Sequence, residues 1–312
     1  MRISSLGPEN TLRECIPGTM NLYLDKNLLY SWDQYFSIIK QLPWLRTIVL
    51  TGNKFRRIPS TYLDDKDVSY LVHTSLSELV FIDMALDWGQ IDTLAPVMCY
   101  AEQLHLVKNK CAKISSMYKV PTDHFKLLKF INLENNGIES WDELDGFRHL
   151  ENLKRITLNK NYISKITYKP GWKELFMISI EDNLIGDFES FDELNKFHTV
   201  KNLRPLGNPV FKEELGGPRA REIAIARVEF VYIFNGTTIE HSERKDHEVY
   251  YMNDAYRKFL QVMEDQSKQD GTELVPVTGL EDDRLGQFML QNHPRWYELV
   301  EKHGNPINVI RL

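Results

Sequence analysis

Cys99, His105 and Cys111 lie close together in the chain, and two thiols with an imidazole form a donor set that zinc accepts. Sharing an ion requires that all three point the same way. His105 occupies an outward-facing strand position whereas Cys111 occupies an inward one, so the three cannot converge. His241, Glu243, His247 and Glu248 gather imidazoles and carboxylates further on, and they read as a solvated helix start. No phosphate-cradling glycine loop, His-Glu-x-x-His helix or paired Cys-x-x-Cys occurs. The residues therefore point to no metal, no cofactor and no enzymatic chemistry.

What does repeat is apolar. The phrase Leu-x-x-Leu-x-Leu-x-x-Asn-x-Leu recurs seven to eight times, clearest as Leu45 to Phe55, Leu128 to Ile138, Leu153 to Ile163 and Leu175 to Ile185. Weaker copies centre on Asn27, Met84, Asn109 and Asn208. Asn136, Asn161, Asn183 and Asn208 follow one another at 25, 22 and 25 residues. That period falls in the leucine-rich repeat range of about 20 to 29. The sequence thus predicts an α/β solenoid: a leucine-rich repeat arc with a parallel concave sheet, short convex helices or 3-10 turns, and a C-terminal helical cap and linker. In each copy the Leu-x-Leu alternation specifies a short strand with its apolar side chains inward. The asparagine turns inward to bond the backbone of adjacent coils, because an unpaired buried polar group costs about 1–3 kcal/mol. Met84 must leave its coil to satisfy its backbone differently. Trp32, Trp141 and Phe188, with Trp88 one place early, alternate with Ile58, Ile114 and Ile166 as large and medium core fillers.

The expected divisions are an N-terminal cap over 1–18, repeats over 19–215, and a repeat cap with helix over 216–262. An acidic linker with a short helix (His293 to His303) follows over 263–306. In the cap, Ile223 and Val228 are expected inward, and Val228, Val231, Ile233 and Ile239 give one last strand-like turn closed by Asn235-Gly236. The apolar Ile307–Leu312 would be an unpaired strand. Net charge is −6, which disfavours nucleic acid as the main partner. Three unclustered cysteines fit a reducing compartment. With no apolar run near the roughly 18 residues of a membrane span, no membrane association is expected and a cytoplasmic monomer is.

Function then rests on what the sheet displays. Positions two, four and six before each asparagine form rows across the concave face. Val49, Val80, Ile82, Val107 and Phe130 make an apolar patch in the middle rows, with polar neighbours around it. Such patches mark protein partners. Tyr23 and Phe130 are the anchor residues by type, and His105, Arg155 and Arg204 complete the candidate surface.

Several signatures occur in a specific order. These are Asn27-Leu-Leu-Tyr-Ser-Trp32, Gln41-Leu-Pro-Trp-Leu45, Asn136-Gly-Ile-Glu-Ser-Trp141, Gly207-Asn-Pro209 and Ala224-Ile-Ala-Arg-Val228. Phe234-Asn-Gly236, Glu243-Arg244, Tyr250-Tyr251, His293-Pro-Arg-Trp-Tyr297 and Lys302-His-Gly-Asn-Pro306 follow. In this order the chain resembles the tubulin-folding cofactor E family, including its shorter E-like relatives. The resemblance implies a non-enzymatic chaperone that binds α-tubulin, with other tubulin-folding cofactors as further partners, in the cytoplasm and at the cytoskeleton. It also implies an excerpt or a reduced relative, since the family's CAP-Gly domain is missing and 307–312 could begin its ubiquitin-like domain. On this reading the apolar middle of the concave face grips α-tubulin while Arg155 and Arg204 meet acidic surface. The alternative from the repeats alone is a generic interaction adaptor of phosphatase-regulatory or ribonucleoprotein type.

Overall fold

The computed structural model describes residues 2–64, 68–114, 124–212, 217, 219–277 and 279–308. Three-residue strands, each ending just before a left-handed turn, line up in chain order as one ten-stranded sheet. They are β1 (Asn21–Tyr23), β2 (Thr47–Val49), β3 (Glu78–Val80), β4 (Gln103–His105), β5 (Phe130–Asn132), β6 (Arg155–Thr157), β7 (Met177–Ser179) and β8 (Asn202–Arg204). Pairing is parallel with no slip through β8, and the middle residues Ile48, Leu79, Leu104, Ile131, Ile156, Ile178 and Leu203 stack in one buried row. This is the leucine-rich repeat solenoid that the alternation predicts.

The asparagine ladder sets the stacking. Asn161 accepts from the N–H groups of Asn136 and Ile138, both at 3.0 Å, and donates to the carbonyls of Leu133 at 3.0 Å and Leu158 at 2.8 Å. Asn53, Asn109, Asn136, Asn183 and Asn208 reach back in the same way to a carbonyl and an N–H of the preceding coil. Met84 cannot reach back to Leu50. The Leu50 carbonyl there keeps only bonds from its own coil, from Asn53 Nδ2 at 2.9 Å and N–H at 3.2 Å, the first of which Asn161, Asn183 and Asn208 also make to Leu158, Ile180 and Pro205. The residue before each of these positions has positive φ, and at Lys26, Asp83, Lys108, Asn135, Lys160 and Asp182 it is not glycine. At Gly207 (φ +78) a Cβ would fall 2.0 Å from Asp182 Oδ1, so there glycine is required by space as well as by conformation.

On the convex side, Ser31 and Asp87 form capping boxes with Gln34 and Gln90 at the starts of α2 (Trp32–Gln41) and α3 (Trp88–Leu94). Ser140 likewise caps the 3-10 turn Trp141–His149. Each tryptophan is the first residue after its cap, which explains why Trp88 comes a place early: the cap sets its position. Trp32, Trp88, Trp141, Ile58, Ile114 and Ile166 are buried as expected. Phe188 is not; it is half-buried, and Phe191 of α4 (Glu189–Asn195) fills the core in its stead. At the other end, α1 (Thr11–Cys15) and the residues before it lie against the first coil, where Asn27 Oδ1 accepts from the Ile3 N–H at 2.7 Å.

Beyond Asn208, α5 (Ala220–Arg227) precedes a hairpin, β9 (Ile233–Phe234) and β10 (Thr237–Thr238), turned by Asn235-Gly236 with both φ positive. Ile233 lies in the expected last strand, where Phe234 is the buried residue and Ile233 is half-exposed. The long helix α6 (His241–Asp270) runs past Val262, where an end was expected, to a left-handed Gly271. In the stretch expected to be linker, α7 (Asp283–Asn292) forms, and α8 (Trp296–His303) follows. Acidic content did not prevent this, because Leu285, Met289, Trp296 and Leu299 give the two helices a buried face against Tyr251, Tyr256 and Phe259. Where a terminal strand was expected, Pro306–Asn308 is a 3-10 turn, and 309–312 lie outside the described residues.

A buried charge joint ties these helices to the arc. Arg227 pairs with Asp192 of α4 and donates to the Asn292 carbonyl at 2.8 Å. Its Nη2 also lies 3.2 Å from His293 Nδ1, with Tyr251 Oη 3.1 Å from the same nitrogen. A guanidinium only donates, so Nδ1 must accept and the imidazole is neutral. Burial, then Arg227 and Lys258, push the His293 pKa from its ordinary 6.5 down to about 3.

Two outcomes follow from these contacts. Asn161→Ala should lower unfolding free energy by about 2–4 kcal/mol in urea denaturation, since it orphans several buried backbone groups, and half-buried Asn27→Ala should cost less. For His293 the unfolded chain takes up a proton below pH about 6.5 and the folded one refuses it until about 3. Stability should therefore fall as pH is lowered through that window, by about 2 kcal/mol at pH 5. Thermal unfolding of His293→Gln should show a flatter acid limb than the parent chain.

Candidate functional site

The inner wall of the arc presents three rows. One, in register, is Tyr23, Val49, Val80, His105, Asn132, Thr157, Ser179 and Arg204. A second contains Thr47, Glu78, Gln103, Phe130 and Arg155. Ile82 and Val107 belong to the third, where Asp83 N–H bonds the Val107 carbonyl at 3.0 Å. The sheet thus brings Val80, Ile82, His105, Val107 and Phe130 onto adjacent strands, all half-buried. Tyr23 sits at the open edge with 67% of its surface exposed. Val49 does not belong to the accessible patch: it is only 9% exposed. Parallel strands hold Tyr23 and Val80 on either side of it about 4.8 Å away, and concave curvature tips their side chains together over it.

Around Phe130 the face turns polar in a defined order. Thr47 donates to Glu78 Oε2 at 2.9 Å, and the other Glu78 oxygen lies 3.4 Å from His105 Nε2. His105 meets the Phe130 ring edge-on at 5.1 Å. The exposed Arg155 guanidinium stands 4.5 Å above the same ring, a cation–π geometry. Burial holds the His105 pKa below its usual value, Glu78 opposes that, and Arg155 adds to it. The imidazole is therefore an uncharged part of the patch at neutral pH. Arg204 is half-buried, and its Nε has no hydrogen-bond partner among the described residues. Further along, Asn159 donates to Glu181 at 2.9 Å and Lys160 pairs with Glu134 at 2.7 Å.

The positions two, four and six before each asparagine leave out a further row just ahead of the strands. Its backbone continues the ladder, with N–H donors of Lys154, Phe176, Lys201 and Tyr232 each bonding the residue one strand back. The signal was present in the sequence as a basic or aromatic residue just ahead of each strand from β5 to β9: Lys129, Lys154, Phe176, Lys201 and Tyr232.

Cys111 is wholly buried beside the Leu86 carbonyl, and among the described residues no group of histidine, cysteine and carboxylate side chains could hold a metal. Nor is any described helix long and apolar enough to cross a membrane. The helix-start cluster is less solvated than expected. Glu248 is completely buried, bonded to Lys302 at 2.8 Å and His303 at 2.7 Å, at the floor of a cleft of about 250 Å³. Burial raises its pKa, but these partners and Arg295 outweigh that and hold it below the usual carboxylate value.

The chain is 29% identical to a tubulin-folding cofactor E of Arabidopsis thaliana over 97% of its own length and 53% of that protein's. It is 27% identical to a tubulin-specific chaperone E of Homo sapiens, over 97% and 55% of the two chains. The resemblance carried by the ordered signatures thus extends over nearly the whole chain, which spans about half the length of the curated relatives it matches. No protein-family model matches. Among solved structures, an internalin C2 of Listeria monocytogenes aligns with a TM-score of 0.47 and 16% identity, over 71% of this chain and 82% of that one. The SNF/U2A′ complex of Drosophila melanogaster aligns with a TM-score of 0.41 and 21% identity, over 48% and 80%.

The polar network around Phe130 is testable by NMR titration. Arg155→Gln should raise the His105 pKa and Glu78→Gln should lower it further, because the first removes a repelling charge and the second an attracting one.

Proposed function

We propose that this chain is a tubulin-binding repeat domain that acts, as a chaperone rather than an enzyme, in folding, assembly or dissociation of the α/β-tubulin heterodimer. The observation that carries this is the similarity over 97% of the chain to proteins named tubulin-folding cofactor E and tubulin-specific chaperone E. A concave face with apolar residues in one half and charged residues in the other supports it.

On this reading α-tubulin docks over Val80, Ile82, Val107 and Phe130, with Tyr23 at one margin. His105 contributes as a neutral ring, and Arg155 and Arg204 face acidic surface of the partner. Val49 supports its neighbours from beneath. A binder separates two subunits only by preferring one of them in a state its mate cannot hold. The function therefore requires tighter binding to free α-tubulin than to the heterodimer. Other tubulin-folding cofactors would join at surfaces beyond this wall, in the cytoplasm and at the cytoskeleton, with the chain itself a monomer.

The test is capture of tubulin from cytosol by the purified chain and by the Val80→Asp, Val107→Asp double variant. Tubulin should be enriched by the parent chain, and the variant should lose at least about tenfold in affinity, as expected for charge placed at the centre of an apolar contact. Equal capture by both would remove the concave wall from the reading. Enrichment of a phosphatase or a ribonucleoprotein in place of tubulin would overturn it entirely.

A further inference from the structure

Along one rim of the concave sheet, the row just ahead of the strands reads Lys154, Phe176, Lys201, Tyr232 on successive coils. Phe176 is 44% exposed and Tyr232 55% exposed, although both are large apolar rings. Lys201 lies 5.2 Å from the Tyr232 ring centre. Arg155 and Arg204 flank the row on the same strands. None of the four cations has a carboxylate partner among the described residues, whereas Lys129, Lys160, Lys165, Lys169 and Lys173 all do. Arg155 stacks on Phe130, and Lys201 donates to the His198 carbonyl at 2.8 Å, but in a chain of net charge −6 four cations on one edge without a carboxylate partner leave their charge available to an anion.

We infer that Lys154, Phe176, Lys201 and Tyr232, with Arg155 and Arg204, form a track for an extended acidic segment of a partner protein. The spacing indicates its composition. Strands lie about 4.8 Å apart, so Lys154 and Lys201, two strands apart, stand about 10 Å from one another; one turn of polyproline II, three residues and about 9 Å, covers that distance and returns to the same face. The fitting segment therefore carries a carboxylate at about every third position, with apolar side chains between that lie on the two rings. Nucleic acid is a poorer match, since a few cations on an acidic protein leave most phosphates uncompensated. The track shares its two arginines with the tubulin-docking face, and to that extent it rests on that reading.

Fluorescence anisotropy with a labelled synthetic peptide of about twelve residues, glutamate at about every third position and phenylalanine between, tests the inference. The parent chain should bind it, and more weakly as salt is raised from about 50 mM to about 500 mM. Lys154→Glu with Lys201→Glu should reduce affinity at least tenfold, and the corresponding double glutamine variant should lose less. Unfolding midpoints confirm that each variant is folded, and Lys268→Glu in the last turn of α6, outside the track, should bind as the parent does. Undiminished affinity of the folded reversal variant would overturn the track, as would tighter binding of a single-stranded oligonucleotide of equal length. Tubulin capture without peptide binding would sink the track alone. Peptide binding without tubulin capture would sink the tubulin reading alone.

Discussion

A coil of this arc cannot satisfy its own backbone. Where the chain leaves each strand it turns through a left-handed residue, and a carbonyl and an N–H are left pointing into an apolar interior. The next coil's asparagine supplies both missing partners. Everything else depends on that bond set: it fixes the distance between coils, the unslipped register of the sheet, and so the rows into which the concave side chains fall. An aliphatic residue of similar size would pack there but make none of these side-chain bonds, which is the situation of the buried Met84.

Much of this was legible because the determinants are local. Strand alternation, the asparagine period and the tryptophan after each cap all lie within one repeat, and each repeat confirms the others. The burial of Val49 is not legible for the opposite reason. Its exposure depends on Tyr23 and Val80, which reach it only after stacking and curvature. Counting from Asn183 places Phe188 in the core, but Phe188 stands at the start of α4 without a side-chain cap bond, and Phe191 inside the helix is the buried ring. Left-handed turns filled by lysine, aspartate and asparagine carry no glycine signal. The C-terminal helices were obscured by seven acidic residues between Gln261 and Leu290, and the hydrophobic face of α7 and α8 becomes visible only against Tyr251 and Phe259.

The C-terminal helices also finish the solenoid. Arg227 links α4 to α7 through Asp192, Asn292 and His293, and Arg244 donates to the carbonyls of Ile225, Val228 and Val231 at the end of α5 and beyond. An open end of a repeat stack exposes apolar cross-section. Here that cross-section is covered by structure held on through buried charge, and the concave wall keeps its curvature up to its last strand.

The asparagine ladder has a direction, since each amide reaches toward the N-terminus. During synthesis a coil leaves the ribosome with its turn still incomplete, and the group that completes it is about 25 residues behind, inside the exit tunnel. Consolidation must therefore trail translation by one repeat, and the newest coil is always the least finished. Loss of coils from the C-terminal side strands bonds in what remains, whereas loss from the N-terminal side leaves only amides that water can serve.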